Sequence, residues 1–450
     1  MSHIKISRGL NIRLQGEAVN EIIVHNHKAA SIGISPCEFP GLVSKPALQP
    51  GEKLAVGSVV FYDKYQPDVK FVSPVSGVLS EIVRGEKRKI LYYLITPDDS
   101  TDFVNFNIPD INTCSRDEVV SFLCASGYWP AFVRRPFGTI PGPAENPDSI
   151  FVSFIDTAPL APDYEFLMAD KTEALQQAFL LIAKLCSTKV QVGLAKDSRL
   201  ADALSKTGVV DIHYVSGPHP AGNVGTLINK IRPLNKGEVI FTIHPNDLLS
   251  IGITLKTGRY HAERVVALTG SELKQTGYVK TILGANVQGL IEKNLVQPDV
   301  RVVSGNVLTG INTGLNGYLG FKHAQITVIP EGKKYEMLGW IMPGFNKFSM
   351  SHTYFSWLFR NKKYRIDTNL KGGHRNYVIT GEYEKVCPLD IYPQQLIKAI
   401  IVKDIDKMEQ LGIYEVLEED LALCEFVCTS KTEVQSILRE GLDLMRSEMS

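Results

Sequence analysis

Short runs of alternating hydrophobic and polar residues, separated by glycine and proline, fill the first hundred residues of the chain. In the clearest of them an apolar strand reaches Pro74, a tight turn uses Gly77, and a second strand follows over residues 78–83. Alternation with a period of two is typical of strands that bury one face, and glycine adopts the positive φ of tight turns without strain. We predict a small β domain over residues 1–100.

Hydrophobic patterns typical of helices and of strands alternate over residues 101–260. Ser115-Arg-Asp-Glu118 is a capping box that predicts a helix directly after it, and Asp170-x-x-Glu173 predicts the start of a second helix. Strands that alternate with helices form parallel sheets, so we predict a Rossmann-like α/β domain in this region. Its strands are predicted over 149–156, 189–194 and 209–215.

The remaining residues predict three further regions, which make the fold class multidomain α+β and α/β. Residues 261–330 have the hydrophobic patterns of two strands, a helix and a further strand, in that order, and predict a small α+β unit. Residues 331–380 have no regular period and predict an irregular, aromatic-rich linker. Residues 381–450 return to a helical period, and Ser430-x-x-Glu433 is predicted to cap the last helix of this C-terminal helical domain.

Composition narrows the class of protein. The 450 residues are 44% hydrophobic and 21% charged, which is typical of a globular protein. Lys and Arg number 48, as do Asp and Glu, so the chain lacks the net positive field that binds nucleic acid. No apolar run reaches the length of a membrane span. Seven scattered cysteines favour reduced thiols in the cytoplasm.

The loop after the third predicted strand is a candidate ligand site. It contains Gly217, His219, Gly222 and Gly225. In doubly wound sheets ligands lie beyond the carboxyl ends of the strands, and glycines let backbone N–H groups approach an anion. The first strand–helix turn, residues 156–162, has no Gly-x-Gly-x-x-Gly, which argues against a standard dinucleotide site. Turn glycines beside a packed histidine are the alternative interpretation of the same loop.

Cysteine and histidine pairs provide little support for a metal site. Cys424 and Cys428 are four residues apart on one side of a predicted helix, but zinc and iron–sulfur sites need about four ligands. We expect structural cysteines and no bound metal. His25-x-His27 has no obvious carboxylate partner, so a surface role is the favoured hypothesis. No nucleophile motif or Walker loop is present, and we assign no catalytic residue.

The glycine pattern of the N-terminal region resembles lipoyl and biotinyl carrier domains, which are barrel-sandwich hybrids. The resemblance rests on Pro50-Gly51 and on Ser73-Pro74-x-x-Gly77. Lys64 lies about where those carriers place their modified lysine on a hairpin, but it lacks their Ala-Met-Lys-Met context. We expect an ordinary exposed lysine, with modification as the alternative.

Matches along nearly the whole chain resemble one family, the A subunits of the sodium-translocating NADH:quinone reductase of bacteria. The more distant Rnf-type electron-transport subunit carries cysteine-rich iron–sulfur motifs, which this chain lacks. The matching stretches include Phe61-Tyr-Asp-Lys64, Arg84-Gly85-x-Lys87-Arg88, Gly217-x-His-Pro-Ala-Gly-Asn-Val-Gly-Thr226, Ser304-Gly-Asn-Val-Leu308 and Gly381-x-Tyr-Glu-x-Val-x-Pro-Leu-Asp390.

The resemblance implies a peripheral subunit on the cytoplasmic side of the bacterial inner membrane. Its complex has five other subunits, which hold the flavins and the 2Fe-2S centre, and it reduces ubiquinone while exporting Na+. The chain is implied to act in the late quinone-reduction step, to bind no cofactor covalently, and not to be catalytic alone. The resemblance also implies that the α+β unit is a soluble-ligand-binding β-grasp module. The alternative function is a soluble Rnf-type electron carrier or a lipoyl/biotinyl-type carrier.

Docking on a membrane complex requires a surface, and residues 333–377 are the candidate for part of it. This stretch places aromatic residues among basic ones, a composition enriched at interfaces. The alternative is that these rings pack the α+β unit onto the C-terminal helices. The candidate docking residues are Trp340, Phe345, Phe348 and Trp357.

Overall fold

Four folded regions follow one another along the chain. Among the residues that the structure describes, no helix is long and apolar enough to cross a bilayer. The computed structural model describes residues 2–24, 27–99, 102–333, 336–342 and 344–449.

Two short N-terminal strands leave the barrel and join sheets that form later in the chain. β1 (Ser2–Lys5) pairs in parallel with residues 213–216. β2 (Ile22–Val24) pairs with residues 278–279. The backbone edges of two later sheets bind these strands, so β1 and β2 connect the N-terminal region to both later domains.

The N-terminal barrel consists of two small antiparallel sheets. One has the order β3-β9-β8-β5 and the other β4-β6-β7. The rings of Phe61, Phe71 and Tyr93 stack between them at centroid distances of 4.3 and 4.4 Å. Gly77 has φ +154°, and a Cβ there would lie 2.1 Å from the Thr96 carbonyl oxygen. The strands are β3 (Ile32–Ile34), β4 (Ser44–Pro46), β5 (Lys53–Leu54), β6 (Val59–Asp63), β7 (Lys70–Val72), β8 (Gly77–Arg84) and β9 (Ile90–Pro97).

The α/β domain contains a six-stranded sheet with the order β1-β13-β12-β11-β14-β10, in which only β10 is antiparallel to its neighbour. The predicted alternation of strands and helices is present. The bounds are α1 (Arg116–Ala125), β10 (Phe132–Arg135), β11 (Ser149–Ser153), α2 (Tyr164–Met168), α3 (Thr172–Ile182), β12 (Val190–Leu194), α4 (Leu200–Ser205), β13 (Val210–Ser216), α5 (Val224–Ile231), β14 (Ile240–Ile243) and α6 (Pro245–Thr257).

Both predicted helices of this domain are present, but only the first has the predicted cap. Ser115 and Glu118 form the predicted capping box at the start of α1. The helix predicted to start at Asp170 is present as α3, which begins one residue later, after Lys171, and no side chain caps it. Packing of its apolar face, including the fully buried Leu175, holds α3 in place without a cap.

The third domain is a mixed sheet of the order β18-β17-β19-β15-β16-β2 with one short helix. Val266, Leu268, Ile326 and Val328 fill its core. The bounds are β15 (Glu263–Thr269), β16 (Gly277–Ile282), α7 (Gln288–Ile291), β17 (Val300–Ser304), β18 (Ile311–Asn312) and β19 (Gln325–Pro330).

The last region is helical and follows an irregular segment, as the sequence predicts. The described residues between 331 and 380 contain only one short 3₁₀ turn. Ser430 does not cap the last helix, because that helix begins only at Val434; the Ser430 hydroxyl donates to the Asn376 carbonyl. The helices are α8 (Glu382–Val386), α9 (Pro393–Ile401), α10 (Ile405–Gln410), α11 (Glu418–Val427) and α12 (Val434–Met449).

A buried ion pair joins the helical domain to the α/β sheet. Arg135 ends β10 and donates to Asp420 of α11 at 2.8 Å, and the two side chains are 3% and 0% exposed. The same guanidinium donates to Glu419 at 2.5 Å. Asp420 also accepts from the backbone N–H of Leu417 at 3.0 Å. The start of α11 is therefore fixed against the edge of the sheet.

We expect Asp420→Asn to lower the free energy of unfolding by about 3–5 kcal/mol, because it leaves the buried Arg135 without its main charge partner. Urea unfolding followed by circular dichroism measures the change. Asp443→Asn is the matched control: its ion pairs are 3.8 Å long on a half-exposed surface, so it should cost less than about 1 kcal/mol. Equal effects of the two substitutions would contradict a central role for the buried pair.

Candidate functional site

A cleft of about 400 Å³ opens where all four regions meet. Its floor is formed by the residues that follow the carboxyl ends of β11 and β14, the edge at which parallel sheets of this type bind ligands. The polar residues discussed below line it: Glu38 of the barrel, Asp156, Tyr164, His219 and His244 of the α/β domain, Lys322 and His323 of the third domain, and Glu419 of α11.

Two residues of the predicted glycine loop line this cleft. His219 is 4% exposed, and its Nδ1 lies 3.2 Å from the Thr157 hydroxyl. The N–H of Gly222 donates to the same hydroxyl at 2.9 Å. A Cβ on Gly222 would lie 2.7 Å from the carbonyl oxygen of Ile155, so only glycine fits there. The loop and the end of β11 thus form one wall.

The other two glycines of the loop serve contacts inside the protein. Gly217 has φ +143°, and a Cβ there would lie 2.3 Å from the Ile6 carbonyl oxygen, beside β1. A Cβ on Gly225, in the first turn of α5, would lie 2.2 Å from Oδ1 of Asp420. The carboxylate beside this helix start is therefore the protein's own Asp420.

His244 is held by two hydrogen bonds of defined direction. It precedes α6 as the N-cap residue, and its Nδ1 accepts from the backbone N–H of Asn246 at 3.3 Å. Its Nε2 lies 2.7 Å from the hydroxyl of Tyr164, the first residue of α2. Burial, followed by the charge of Arg264, lowers the pKa of His244 to about 3. The ring is neutral at pH 7.

Two further imidazoles of the cleft are also neutral. Burial lowers the pKa of His219 to about 4. Burial, assisted by the charge of Lys322, lowers the pKa of His323 to about 4. Nδ1 of His323 lies 2.9 Å from the Ser304 hydroxyl, which accepts from the N–H of Gly320. Each ring therefore has Nδ1 bound to a hydroxyl that is fixed by a backbone N–H.

Two carboxyl groups that line the cleft have raised pKa values. Burial raises the pKa of Glu38 to about 7. The hydrogen bond from the N–H of Phe321 and the charge of Lys322 act in the opposite direction and lower it. Burial raises the pKa of Glu419 to about 7, although Arg135 opposes it. The Glu419 side chain retains 44% exposure, and it lines the cleft. Glu38 is therefore partly protonated near neutral pH.

Lys322 is the ammonium group of the cleft. Its Nζ lies 5.3 Å from the ring centroid of Phe39. Burial lowers its pKa, while the charges of Asp247 and Glu38 oppose that change. On the floor, burial raises the pKa of Asp156, whose Oδ1 accepts from the N–H of Ala158. The cleft therefore combines neutral imidazoles with carboxyl groups whose pKa values are raised by burial.

The sequence did not single out most of these residues. Glu38, Tyr164, His244, Lys322 and His323 belong to no short motif. His244 carried one usable signal: it stands between the apolar run of β14 and a proline, where a strand ends and a helix begins.

Lys64 lies apart from the cleft. It is exposed on the hairpin between β6 and β7, where carrier domains place their lysine. Its backbone N–H donates to the Val43 carbonyl at 2.8 Å, and its ammonium lies 5.5 Å from the Tyr65 ring centroid. This position agrees with the expected hairpin, and modification stays an open alternative.

The candidate docking residues divide into two groups. Trp340, Phe345 and Trp357 are 44%, 59% and 49% exposed. Phe348 instead packs between Tyr364 and Phe426, with ring centroids at 5.7 and 6.3 Å. The packing alternative thus applies to Phe348, and the other three rings remain accessible.

The cysteine and histidine pairs add no chemistry to the cleft. Cys424 and Cys428 are buried at 1% and 3% exposure. Among the described residues, no group of three His, Cys, Asp or Glu side chains could hold a metal ion. His25 of the His-x-His pair lies outside the described residues.

Comparison with known proteins identifies close relatives of the chain. Three domain models of one family match it: the NqrA N-terminal barrel-sandwich hybrid domain over residues 4–98, the NqrA second alpha/beta domain over 114–260, and the NQRA C-terminal domain over 265–314. Together these matches follow the order of the folded regions described above.

Full-length relatives share a single name, that of the A subunit of the Na(+)-translocating NADH-quinone reductase. Those of Neisseria meningitidis and Cellvibrio japonicus are 37% and 38% identical, and that of Yersinia pseudotuberculosis is 35% identical; each alignment covers 99% of this chain and 100% of the relative. A solved NAD+-reducing [NiFe]-hydrogenase in the air-oxidized state aligns over 89% of this chain and 78% of its own, at 10% identity and a TM-score of 0.37.

The pH dependence of stability should reveal the lowered pKa values of the buried histidines. In the unfolded chain His219 binds a proton below pH 6.5, whereas the folded chain binds it only below about 4. Stability therefore rises with pH between these values. We expect His219→Gln to reduce the slope of unfolding free energy against pH, between pH 4.5 and 6, by about 1.4 kcal/mol per pH unit.

Urea unfolding at closely spaced pH values measures this slope. His352→Gln is the matched control, because His352 is exposed in the folded chain and its replacement should leave the slope unchanged. An unchanged slope for His219→Gln would show that this ring is not held neutral in the folded protein.

Proposed function

Because the chain belongs to the NqrA family, the A subunits of the Na(+)-translocating NADH-quinone reductase, we propose that it acts in the late, quinone-reducing part of that oxidoreductase complex. In this proposal the cleft receives the headgroup of ubiquinone. The flavins and the 2Fe-2S centre reside in the five partner subunits. The chain itself lies on the cytoplasmic face of the membrane and is not catalytic alone.

The chemistry of the cleft walls supports a quinone over other ligands. A quinone headgroup is a flat, uncharged ring with two carbonyl oxygens that accept hydrogen bonds. Its site needs apolar walls and a few donors, as small-molecule sites generally do. Ile155, Ala158, Ile243 and Leu417 supply apolar wall, and the neutral imidazoles supply the donors. The observation that carries the proposal is this combination in a cleft of about 400 Å³.

Burial explains why a neutral ligand fits better than a charged one. The imidazoles of His219, His244 and His323 are uncharged at neutral pH. The positive charge of Lys322 interacts with the carboxyls of Asp247, Glu38 and Glu419. An anion such as a nucleotide phosphate would compete with those carboxyls for Lys322 and would lose its hydration, which is costly.

The strand order supports assigning the α/β domain and the third domain to known fold types. The parallel strands β13, β12, β11 and β14 lie in the order expected of a Rossmann-like sheet. We interpret the third domain as a β-grasp module, in which α7 packs on the mixed sheet. Both domains contribute loops to the cleft, so its shape depends on their contact.

We further propose that an exposed apolar patch docks the chain onto an integral membrane partner of the complex. Large hydrophobic side chains are concentrated on the irregular segment that follows the third domain. Aromatic side chains are enriched in the cores of interfaces, and a membrane-embedded partner offers apolar surface to meet them. The patch consists of Met337, Leu338, Trp340, Ile341, Met342, Phe345, Trp357, Leu358 and Phe359.

Filling the cleft should block quinone reduction. Thr309 lines the cleft and is exposed, so Thr309→Trp adds a large ring there without disturbing a packed core. We expect kcat/KM for a short-chain ubiquinone to fall by tenfold or more, equivalent to ~1.4 kcal/mol. NADH oxidation by an artificial electron acceptor in the same complex should be unchanged.

Thr188→Trp is the matched control for this substitution. Thr188 is exposed and lies just before β12, at the amino edge of the sheet, away from the cleft. Quinone reduction by that variant should equal wild type. Normal quinone kinetics in the Thr309→Trp complex would overturn the assignment of the cleft.

Removal of exposed rings from the patch should weaken assembly. We expect Phe345→Ser combined with Trp357→Ser to release the chain from membranes carrying the partner subunits, because aromatic anchors each contribute about 2 kcal/mol or more at interfaces. Co-sedimentation of the chain with membranes measures the release. The melting temperature should stay near wild type, since both rings are about half exposed.

The control replaces two equally exposed rings elsewhere, Tyr65→Ser with Tyr392→Ser, which are 71% and 64% exposed in wild type. That variant should sediment like wild type. Phe348→Ser should instead lower stability, since Phe348 packs on Tyr364 and Phe426. Full membrane retention of the Phe345/Trp357 variant would exclude the patch as a docking surface.

A further inference from the structure

The protonation of His244 is fixed by its neighbours. Its Nδ1 accepts a hydrogen bond from the backbone N–H of Asn246. A backbone N–H can only donate, so this nitrogen carries the lone pair. In a neutral imidazole the other nitrogen must then carry the hydrogen. His244 is therefore an Nε2–H donor.

This tautomer determines the direction of the next hydrogen bond. Nε2 of His244 lies 2.7 Å from the hydroxyl oxygen of Tyr164. The imidazole donates and the phenol oxygen accepts. The hydroxyl hydrogen of Tyr164 cannot point back at His244, so it is directed to another acceptor. Both residues line the cleft, which is where such an acceptor can enter.

The position of Tyr164 is fixed by the fold around it. Asp163 caps α2 by accepting from the N–H groups of Glu165 and Phe166 at 2.9 and 3.3 Å. The N–H of Asp163 itself donates to the Tyr278 hydroxyl at 2.8 Å. Tyr164 is 5% exposed. Its ring therefore has little freedom, and the direction of its hydroxyl is set by His244.

From this geometry we infer that Tyr164 is the hydrogen-bond donor to one carbonyl oxygen of the quinone, and that His244 is the positioning residue that turns the Tyr164 hydroxyl toward it. The inference rests on the proposed function of the cleft. It adds a specific ligand contact and a preference: the pair favours the oxidised quinone, whose oxygen only accepts, over a ligand group that only donates.

The phenol suits this role because it keeps its proton. Burial, followed by the charges of Asp156 and Asp247, raises the pKa of Tyr164 well above its usual value. The Oδ1 of Asp156 accepts from the N–H of Ala158. A bound carbonyl oxygen takes the remaining hydrogen without any proton being transferred.

Infrared difference spectroscopy on the assembled complex tests the inference. The probe is a short-chain ubiquinone labelled with ¹³C at one carbonyl or the other. Subtracting the spectrum of the Thr309→Trp complex from that of wild type isolates the carbonyl bands of quinone bound in the cleft. A hydrogen bond weakens the C=O bond, so the contacted carbonyl absorbs at lower frequency.

We expect Tyr164→Phe to move one carbonyl band to higher frequency and to weaken quinone binding roughly fivefold. His244→Asn keeps an N-cap side chain for α6 but removes the donor to Tyr164. It should broaden that same band, since the hydroxyl can then rotate. Tyr392→Phe, at an exposed tyrosine outside the cleft, should change neither band.

The experiment distinguishes failure of the proposed function from failure of the inferred roles of Tyr164 and His244. If the subtraction leaves no quinone band, the cleft does not bind quinone and the proposed function fails. If the band is present but Tyr164→Phe leaves its frequency unchanged, the quinone binds in the cleft and the inferred contact is wrong. If Tyr164→Phe shifts the band but His244→Asn has no effect on its width, the positioning role of His244 is wrong.

Discussion

The structure depends on the ion pair between Arg135 and Asp420, which is buried at the junction of the α/β sheet and the helical domain. Two charges removed from water need each other and further hydrogen bonds, because either one alone is strongly unfavourable. Asp420 receives those bonds from Arg135 and from the Leu417 N–H, and Gly225 leaves room for its carboxylate. The pair thereby fixes one wall of the cleft.

The same exclusion of water determines the chemistry of the cleft. Desolvation disfavours the charged form of every group, so it lowers histidine pKa values and raises those of carboxyls. His244 becomes a neutral ring with one defined donor nitrogen, and Glu38 loses part of its negative charge near pH 7. The ionisable side chains that line the cleft thus carry less charge at neutral pH than their usual pKa values would give them.

Local signals in the sequence predicted much of the fold, and long-range contacts account for what was missed. The capping box at Ser115 depends on neighbouring residues only, and this prediction is confirmed. β1 and β2 are short strands whose partners lie over 200 residues later, so no window of sequence could assign them to their sheets. β14 has only four residues, too few for a periodic signal.

The site was harder to predict than the fold for the same reason. Of the predicted glycine loop, His219 and Gly222 line the cleft, whereas Gly217 and Gly225 make contacts inside the protein. Tyr164 and His244 are 80 residues apart in sequence yet 2.7 Å apart in space, and Lys322 comes from another domain. Their meeting depends on the packing of domains and not on spacing within a motif.

A cryo-electron microscopy structure of the whole complex with a bound short-chain ubiquinone tests the central claim most directly. The account predicts density for the headgroup in the cleft, with one carbonyl oxygen within about 3 Å of the Tyr164 hydroxyl oxygen. A headgroup bound only in the partner subunits, with the cleft of this chain filled by a partner's side chains, would contradict it.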